Sequence, residues 1–176
     1  MDRPKPDLDF ILMSLTVGIR DFFLPRMNVL KEVGIEPGFH VLDYGCGPGS
    51  YITSLAELVG NSGRIYGLDI HPLAAQRIRN IASKKQLTNV ETICSDCKTG
   101  LPDMSVDAVL LYDTFHALGD PDGVLEELHR VLKPDGILSF SDHHLKENEI
   151  VSAVTKRGLY RLLRKGKTTY SFSKEG

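Results

Sequence analysis

Short apolar runs alternate with longer segments of helical character over most of this chain, from Phe39 onward. Each run is nearly continuous in apolar residues, as strands buried on both faces of a parallel sheet are. The alternation predicts an α/β fold with a single doubly wound sheet, mostly parallel, and helices on both of its faces. The predicted strands are residues 40–44, 64–70, 90–94, 106–112 and 136–141, and the predicted helices are residues 51–59, 73–86, 121–132 and 146–157.

The C-terminal stretch is predicted to form an antiparallel hairpin. Runs at 159–164 and 168–173 flank a short glycine-containing loop at 165–167, a spacing typical of a hairpin connection. We therefore expect the parallel sheet to carry an antiparallel C-terminal edge.

The segment after position 155 is strongly basic, with seven basic residues and a single acidic residue, Glu175. We expect this charge run to be a solvated face, with an RNA or anionic-lipid contact as the alternative.

The first part of the chain is predicted to be a helical extension. It covers residues 1–38 and ends at a Pro-Gly turn, and the main domain follows over residues 39–176. Its first helix, residues 8–24, is rich in apolar residues and is a candidate cover for a pocket. The longest apolar stretch falls short of the ~20 residues that span a bilayer, so no transmembrane segment is expected. The aromatic side chains of this helix are Phe10, Phe22 and Phe23.

The composition limits the classes of function. With 176 residues, 41% of them hydrophobic and 25% charged, the chain has the size and composition of one globular domain. Its 21 basic and 23 acidic residues give a net charge of −2, which argues against a protein that coats nucleic acid. No nucleic-acid partner is therefore expected, and the oligomeric state is not indicated. Three cysteines and no signal-peptide pattern predict a cytoplasmic location.

The most informative segment is the turn after the first predicted strand, residues 43–49, DYGCGPG. Glycines allow a tight strand-to-helix turn and a close approach of the backbone to a ligand, and the following helix offers free N–H groups. The spacing is G-x-G-x-G rather than the G-x-G-x-x-G of dinucleotide sites, with Ser50 in place of the last glycine. Asp43 would repel a diphosphate and attract an ammonium group. The pattern therefore favours a cationic ligand over a nicotinamide dinucleotide.

The pattern Asp43-x-Gly45-x-Gly47-x-Gly49 resembles the first motif of class I S-adenosylmethionine-dependent methyltransferases. The resemblance covers roughly residues 36–174, with five motifs in order, and is closest to the small-molecule methyltransferases of ubiquinone and menaquinone biosynthesis. It implies a Rossmann-like fold, S-adenosyl-L-methionine as the cofactor and methyl transfer to a small-molecule substrate. This sequence lacks the inserted substrate-binding segments of many such enzymes, so the acceptor is not implied. The alternative is a regulatory or accessory protein that binds S-adenosylmethionine without methyl transfer.

The resemblance also implies which residues hold the cofactor. Asp69 is the implied ribose ligand, a role that strand-end acids play in nucleoside-binding sheets, with a helix N-cap as its alternative role. Ile70 is expected against the adenine, and Asp96 is expected to accept from the adenine amino group beside the backbone of Cys97. The backbone around Tyr112 is expected to contact the methionine part. The implied cofactor-binding set is Asp43, Tyr44, Gly45, Cys46, Gly47, Gly49, Asp69, Ile70, Asp96, Cys97 and Tyr112.

Cys94 and Cys97 form a C-x-x-C pair. Such spacing can belong to a redox pair or to half of a zinc site. The sequence has no second pair to complete four ligands. We therefore expect no metal at this pair and expect Cys94 to be a small buried residue of its strand.

Titratable residues follow the fourth and fifth predicted strands, where the methyl acceptor is expected. A histidine there can take a proton from a hydroxyl or an amine, and Asp113 can orient it. The candidates for a catalytic role are Asp113, His116 and His143; alternatively, His116 packs at a helix start and His143 lies with His144 in a solvated loop. Asp113, Asp142 and His143 also resemble the strand-end ligands of magnesium-dependent catechol-type methyltransferases. The wider pattern of that group is absent, and no metal is expected.

Overall fold

Seven strands and six α-helices are present in the computed structural model, which describes residues 4, 6–23 and 26–175, and their side chains apart from those of residues 18–23. The strands are β1 (His40–Tyr44), β2 (Arg64–Asp69), β3 (Val90–Cys94), β4 (Val106–Tyr112), β5 (Leu132–Ser141), β6 (Tyr160–Lys165) and β7 (Tyr170–Lys174). The helices are α1 (Asp7–Phe23), α2 (Met27–Val33), α3 (Ile52–Val59), α4 (Pro72–Lys85), α5 (Pro121–Val131) and α6 (Glu147–Thr155), and a 3-10 turn spans Phe115–Ala117.

The strands of the described residues form one sheet in the order β3-β2-β1-β4-β5-β7-β6. Neighbouring strands from β3 to β5 run parallel, whereas β7 runs antiparallel to both β5 and β6. The predicted α/β class, the doubly wound sheet and the antiparallel C-terminal edge are confirmed. The strand order reverses between β1 and β4, and the connections that leave these two strands diverge, which opens a crevice at their carboxyl ends.

The start of β5 differs from the predicted one. The sequence predicted a helix to residue 132 followed by a turn, whereas α5 ends at Val131 and β5 begins at Leu132. Leu132 pairs with Val106 and Ile137 pairs with Ala108, so β5 bulges between these two pairs. The proline and glycine that signalled a turn lie in this bulge, where a missing N–H costs no ladder hydrogen bond.

The sheet is buried on both faces. Leu42, Val109 and Leu111 face a first core, to which α5 and α6 contribute. Val41 and Leu110 face a second core, to which α2, α3 and α4 contribute. Successive strand residues point to opposite faces, so burial of both faces requires apolar residues at every position. This is why the strands are visible in the sequence as continuous apolar runs.

Helices α1 and α2 occupy the predicted N-terminal extension. Phe10 of α1 is buried and stacks on the ring of His71, with ring centroids 4.3 Å apart. The side chains of Phe22 and Phe23, and all of residue Leu24, lie outside the described part of the chain. Among the helices that are described, none combines the length and the apolar character needed to cross a membrane.

Four of the seven basic residues near the C-terminus form ion pairs with acidic side chains. Arg164 instead donates to the backbone carbonyls of Glu32 and Val33 at the end of α2. The expected solvated face is therefore largely a set of surface ion pairs. The pairs are Lys156–Asp122, Arg157–Glu126, Arg161–Glu175 and Lys165–Glu147.

Glu127 of α5 holds the connection between β3 and β4 against the domain. Its side chain is buried, and Oε1 accepts from the N–H and the hydroxyl of Thr99 at 2.8 and 2.7 Å. Arg130 donates from Nη2 to Oε1 at 2.8 Å and from Nε to Oε2 at 3.0 Å. These Arg130 hydrogen bonds are the main reason why the pKa of Glu127 is lowered to about 2; burial opposes them, and the bonds from Thr99 add to them.

We predict that Glu127→Gln lowers the free energy of unfolding near pH 7 by about 1.5–3 kcal/mol, because hydrogen bonds to a buried charge are lost. Since the folded pKa of about 2 lies below the ordinary 4.5, this stabilisation is present above pH 4.5 and is lost as the pH falls towards 2. Urea denaturation near pH 7 and near pH 3 measures both effects.

The control for this prediction is Glu126→Gln on the same helix. Half of the Glu126 side chain is exposed, and its ion pair with Arg157 is worth less than about 1 kcal/mol. An equal loss of stability for Glu127→Gln at both pH values would contradict the role assigned to the Glu127 charge.

Candidate active site

A cavity of about 470 Å³ opens at the carboxyl ends of β1, β2 and β4, in the crevice where the strand order reverses. Its volume lies in the range of roughly 300–1,000 Å³ that small-molecule sites occupy. Phe10, Met13 and Val17 of α1 also line it. Nine residues of the predicted cofactor-binding set line the cavity: Asp43, Tyr44, Gly45, Cys46, Gly47, Asp69, Ile70, Asp96 and Tyr112.

Gly49 and Cys97 belong to the predicted set but lie outside this lining. Gly49 has φ +89°, and a Cβ there would lie 3.0 Å from Ile81 Cδ1 and 3.1 Å from Ile78 Cγ1. The close approach of α4 is therefore a sufficient reason for glycine at this position. Cys97 packs against the first core, on the side of α5.

The turn after β1 is held by contacts with β2 and with the end of β4. The N–H groups of Gly45 and Cys46 donate to Leu68 O at 2.8 and 2.9 Å. Gly45 has φ +75°, and a Cβ there would lie 2.1 Å from Thr114 Oγ1. Gly47 has φ +50°, but a Cβ there would meet no atom of the described residues within 4 Å. A steric contact with Thr114 thus requires glycine at position 45, whereas at Gly47 the space beside the backbone is open.

Asp69 ends β2 with both carboxylate oxygens engaged. Oδ2 accepts from the N–H of Gly47 at 2.9 Å, and Oδ1 accepts from the N–H of His71 at 2.8 Å. A carboxylate has about four acceptor positions, so two remain for the hydroxyls of a ligand. The N-cap role, which was the alternative for Asp69, belongs to His71, whose Nδ1 accepts from the N–H of Leu73 at 3.1 Å.

Asp43 is buried at the cavity wall, and its Oδ2 has no hydrogen-bond partner among the described residues. Burial raises the pKa of Asp43 to about 7, and the nearby charge of Asp69 adds to the shift. Ionising a buried carboxyl group without a partner is costly. The cavity wall is therefore suited to a ligand that brings a positive charge to Asp43.

Ile70 and Asp96 line the cavity just beyond the ends of β2 and β3. The Tyr44 hydroxyl donates to the backbone carbonyl of Asp96 at 3.1 Å, which ties β1 to the loop after β3. The Tyr112 hydroxyl is buried, 2.7 Å from Ser139 Oγ, and burial raises its pKa. This hydroxyl is therefore unsuited to accept or lose a proton during a reaction.

Cys94 is exposed, which corrects the expectation of a buried strand residue. The physical reason is that β3 is an edge strand of the sheet, so the end of the strand lies open to solvent. Its Sγ lies 3.5 Å from Ile70 O. Cys46 is buried in the turn, where burial raises the pKa of its thiol, and all three cysteines are free.

Two histidine–aspartate pairs follow the ends of β4 and β5. Asp142 faces His116, whose Nδ1 lies 2.9 Å from Oδ2 and 3.0 Å from Oδ1. Asp113 faces His143, whose Nδ1 lies 2.8 Å from Asp113 Oδ1. The structure thus brings Asp113, His116 and His143 together on the cavity lining. The partner of His116 is Asp142, which the sequence did not assign to it.

The two pairs differ in burial. Asp142 is buried, and its oxygens also accept from the N–H groups of His116 and His144 at 3.0 Å each. Burial alone would raise the pKa of Asp142, but the hydrogen bond of the His116 ring and those of the two N–H groups outweigh it and lower the pKa. In the other pair, 34% of the Asp113 side chain and 65% of the His143 side chain are exposed. The solvated-loop interpretation therefore fits His143, whereas His116 is tied to a buried carboxylate.

Ligand atoms of Asp113, Asp142 and His143 lie within 4.8 Å of one another. Oxygen and imidazole nitrogen atoms at such spacing are able to hold a cation. Asp142 is already engaged by His116 and His144, and His143 by Asp113. These hydrogen bonds account for the grouping, and we assign no ion to it.

Comparison with known proteins decides the family. Residues 35–172 match the family model of a methyltransferase domain. The chain belongs to this methyltransferase family. A demethylmenaquinone methyltransferase from Geobacillus sp. (strain WCH70) is 31% identical over 125 residues, which are 70% of this chain and 53% of that protein. Aklanonic acid methyltransferase DauC from Streptomyces sp. (strain C5) is 33% identical over 124 residues, 69% of this chain and 56% of that protein.

The fold comparison agrees with the family. The crystal structure of an S-adenosylmethionine-dependent methyltransferase from Aquifex aeolicus has a TM-score of 0.76 and 29% identity, over 91% of this chain and 97% of that chain. The chain spans about half the length of the curated relatives named above. Family and neighbours imply S-adenosyl-L-methionine as the cofactor, and the predicted resemblance to the quinone-biosynthesis group is confirmed.

We predict that Gly45→Ala destabilises the protein by more than about 2 kcal/mol, because its Cβ overlaps Thr114 in addition to the cost of a positive φ. Gly47→Ala is the matched control: its φ is also positive but its surroundings are open, so only the backbone cost of about 1–2 kcal/mol applies. Urea denaturation of the cofactor-free proteins measures the difference. Adding Thr114→Ala to Gly45→Ala removes the two closest atoms, and failure to recover any stability would contradict the steric explanation.

For Asp43→Asn we predict that the cofactor-free protein is more stable than the wild type near pH 8, by about 1–3 kcal/mol, since a buried charge is removed. The pKa of Asp43 is raised from 3.8 to about 7, so wild-type stability falls as the pH rises between these values. Denaturation curves near pH 4 and near pH 8 are expected to separate the two proteins only at the higher pH. A difference in the free energy of unfolding of the same size at both pH values would be inconsistent with a buried Asp43 carboxyl group whose pKa is raised.

Proposed function

We propose that this chain binds S-adenosyl-L-methionine in the cavity of about 470 Å³ and transfers the methyl group to a small-molecule acceptor. The buried carboxyl group of Asp43 carries the proposal, because it lies on the cavity wall beside the turn of Gly45 and Gly47, and none of the described residues is a hydrogen-bond partner of its Oδ2. When bound, the cofactor brings an ammonium group to this wall and supplies a methyl group activated by its sulfonium.

Two carboxylates hold the cofactor in this proposal. Asp43 accepts from the ammonium group, whose charge favours the ionised form and offsets the cost of burial. Asp69 accepts from the ribose hydroxyls at the positions that the N–H groups of Gly47 and His71 leave free. Because these two N–H groups already orient the Asp69 carboxylate, little ordering remains to be done when the ligand arrives.

Apolar and backbone groups complete the assigned site. Ile70 packs against the adenine, and Asp96 accepts from the adenine amino group. Gly49 and Cys97 support the turn and the loop after β3 from outside the cavity. The residues assigned to the cofactor are Asp43, Tyr44, Gly45, Cys46, Gly47, Asp69, Ile70, Asp96 and Tyr112.

Helix α1 is assigned the role of a cover. Phe10, Met13 and Val17 line the cavity, and Phe10 stacks on His71, two residues beyond Asp69. Apolar side chains in this place exclude water, and methyl transfer depends on holding the acceptor in line with the methyl group away from water. The extension of residues 1–38 thus contributes to the site, and residues 39–176 supply the methyltransferase core.

The proposed acceptor is a small molecule. The names of the relatives point to demethylmenaquinone and aklanonic acid as the acceptors of those proteins. Nucleic acid is not part of the proposal, because most of the C-terminal cations are held in surface ion pairs. The three free thiols fit a reducing compartment, so we place the protein in the cytoplasm.

Titration calorimetry with S-adenosylhomocysteine tests the cofactor site. We predict micromolar-range binding by the wild type and, for Asp69→Asn, an affinity about 10- to 150-fold lower, since each charge-assisted hydrogen bond is worth about 1.5–3 kcal/mol. Asp107→Asn is the matched control, because the Asp107 carboxylate also accepts a backbone N–H, from His40 at 2.8 Å, but lies at the start of β4. Equal affinity in all three proteins, or binding of NAD instead, would argue against the assigned site.

Methyl transfer itself is tested with cofactor labelled in the methyl group. The purified protein is incubated with this cofactor and the small-molecule fraction of a cell extract, and the expected result is a labelled small-molecule product. Binding of S-adenosylhomocysteine without transfer to any small or large acceptor would favour the accessory-protein alternative.

A further inference from the structure

We propose that His116, held by the buried carboxylate of Asp142, is the proton acceptor for the substrate, and that the methyl acceptor carries an ionisable hydroxyl, as a phenol or an enol does. The inference rests on the proposed function and specifies its acceptor. His116 lies four residues beyond the end of β4 and lines the cavity, and Asp142 directly follows β5. Both residues therefore stand at the edge of the sheet where the cavity opens.

Asp142 holds His116 at two points. Its Oδ2 accepts from the backbone N–H of His116 at 3.0 Å, and its two oxygens lie 2.9 and 3.0 Å from the ring Nδ1. The Asp142 side chain has no exposed surface, so water does not compete for these bonds. The N–H of His144 donates to Oδ1 at 3.0 Å and fixes the carboxylate further.

This contact determines which nitrogen of His116 is free. An ionised carboxylate only accepts hydrogen bonds, so the neutral ring carries its proton on Nδ1 and donates it to Asp142. Nε2 then holds a lone pair and is the ring atom left to meet a ligand. Of the His116 side chain, 31% is exposed. The other titratable groups around the ring are His144 and His143, with centroids 4.0 and 6.3 Å away, and Asp113 beyond His143.

The Asp113–His143 pair is less suited to the same role. Its carboxylate is 34% exposed and its imidazole 65% exposed, so water competes for the hydrogen bonds that orient the ring. Ion pairs in such exposed positions contribute little to holding their geometry. His116 is therefore better suited than His143 to act as a base that is held in a fixed position.

The proton step follows from this geometry. The O–H bond of the acceptor breaks, its electron pair stays on oxygen, and the Nε2 lone pair of His116 forms a new N–H bond. Asp142 stabilises the positive charge that appears on the ring, and the ring returns the proton to water after the product leaves. A phenolic hydroxyl has a pKa of about 10, within reach of an imidazole base. Water-like hydroxyls have a far higher pKa and are beyond the reach of such a base, so the acceptor hydroxyl is that of a phenol or an enol.

The tautomer of His116 tests the inference without any substrate. It is measured by NMR on the intact protein with isotopically labelled histidine, at about pH 9, where ordinary imidazoles are neutral. We expect the Nδ1–H form at His116, assigned by the signal that disappears in His116→Gln. Asp142→Asn, whose amide is able to donate, is expected to shift the ring towards the Nε2–H form. An Nε2–H ring in the wild type overturns the inference, even if Asp142→Asn does not fold.

The role of His116 in methyl transfer is measured with the labelled-cofactor assay. His116→Gln is expected to lower transfer by about 10²- to 10⁴-fold, while its affinity for S-adenosylhomocysteine is unchanged. Asp142 acts through His116 and is a positioning residue, so the loss of transfer in Asp142→Asn is expected to accompany its tautomer shift. His129→Gln is the matched control, because the His129 ring bonds to Glu175 O at 2.8 Å and does not line the cavity.

Four results would overturn the assignment of His116 as the proton acceptor and leave the proposed function intact. They are wild-type transfer by His116→Gln, a loss confined to His143→Gln, a product methylated on an amine nitrogen or a thiol, and a loss of transfer in EDTA that Mg²⁺ restores. The last result would make Asp142 an ion ligand. Absence of transfer by the wild type contradicts the proposed function itself, so the two failures are distinguishable.

Discussion

Two backbone N–H groups in the turn after β1, those of Gly45 and Cys46, donate to one carbonyl, Leu68 O, at 2.8 and 2.9 Å. This shared acceptor joins the end of β1 to the end of β2. It also leaves the N–H of the next glycine, Gly47, directed at Asp69, 2.9 Å away. Thr114 closes the turn from the side of β4, and it can do so only because residue 45 has no Cβ. The cavity wall formed by β1 and β2 depends on this small set of contacts.

The same turn creates an electrostatic cost. It brings the carboxyl groups of Asp43 and Asp69 to one wall, and burial together with the neighbouring charge raises the pKa of Asp43 to about 7. The cofactor-free protein is therefore destabilised when Asp43 ionises, and a cationic ligand removes that cost. A local conflict of this kind, in which a residue weakens the cofactor-free fold, is expected at functional sites.

The other side of the cavity depends on the register of β4 and β5. Tyr112 pairs with Ser141, so the residues that follow these two strands meet in space. Asp113 has φ +49° and donates its N–H to Ser141 O at 2.8 Å. Beyond this pair the chain places Asp142 against His116, although the two residues are separated by 26 positions. The proton acceptor that we infer is thus a product of strand pairing.

The sequence by itself determined the α/β class, the parallel core and the carboxyl edge where polar residues gather, because apolar runs and strand-end glycines and acids are local signals. Only the tertiary structure decided which of these residues meet. Asp142, and not Asp113, orients His116, and Cys94 is exposed because β3 became an edge strand. Such outcomes depend on strand order and register, which bring together residues far apart in the chain, and no local pattern encodes that pairing.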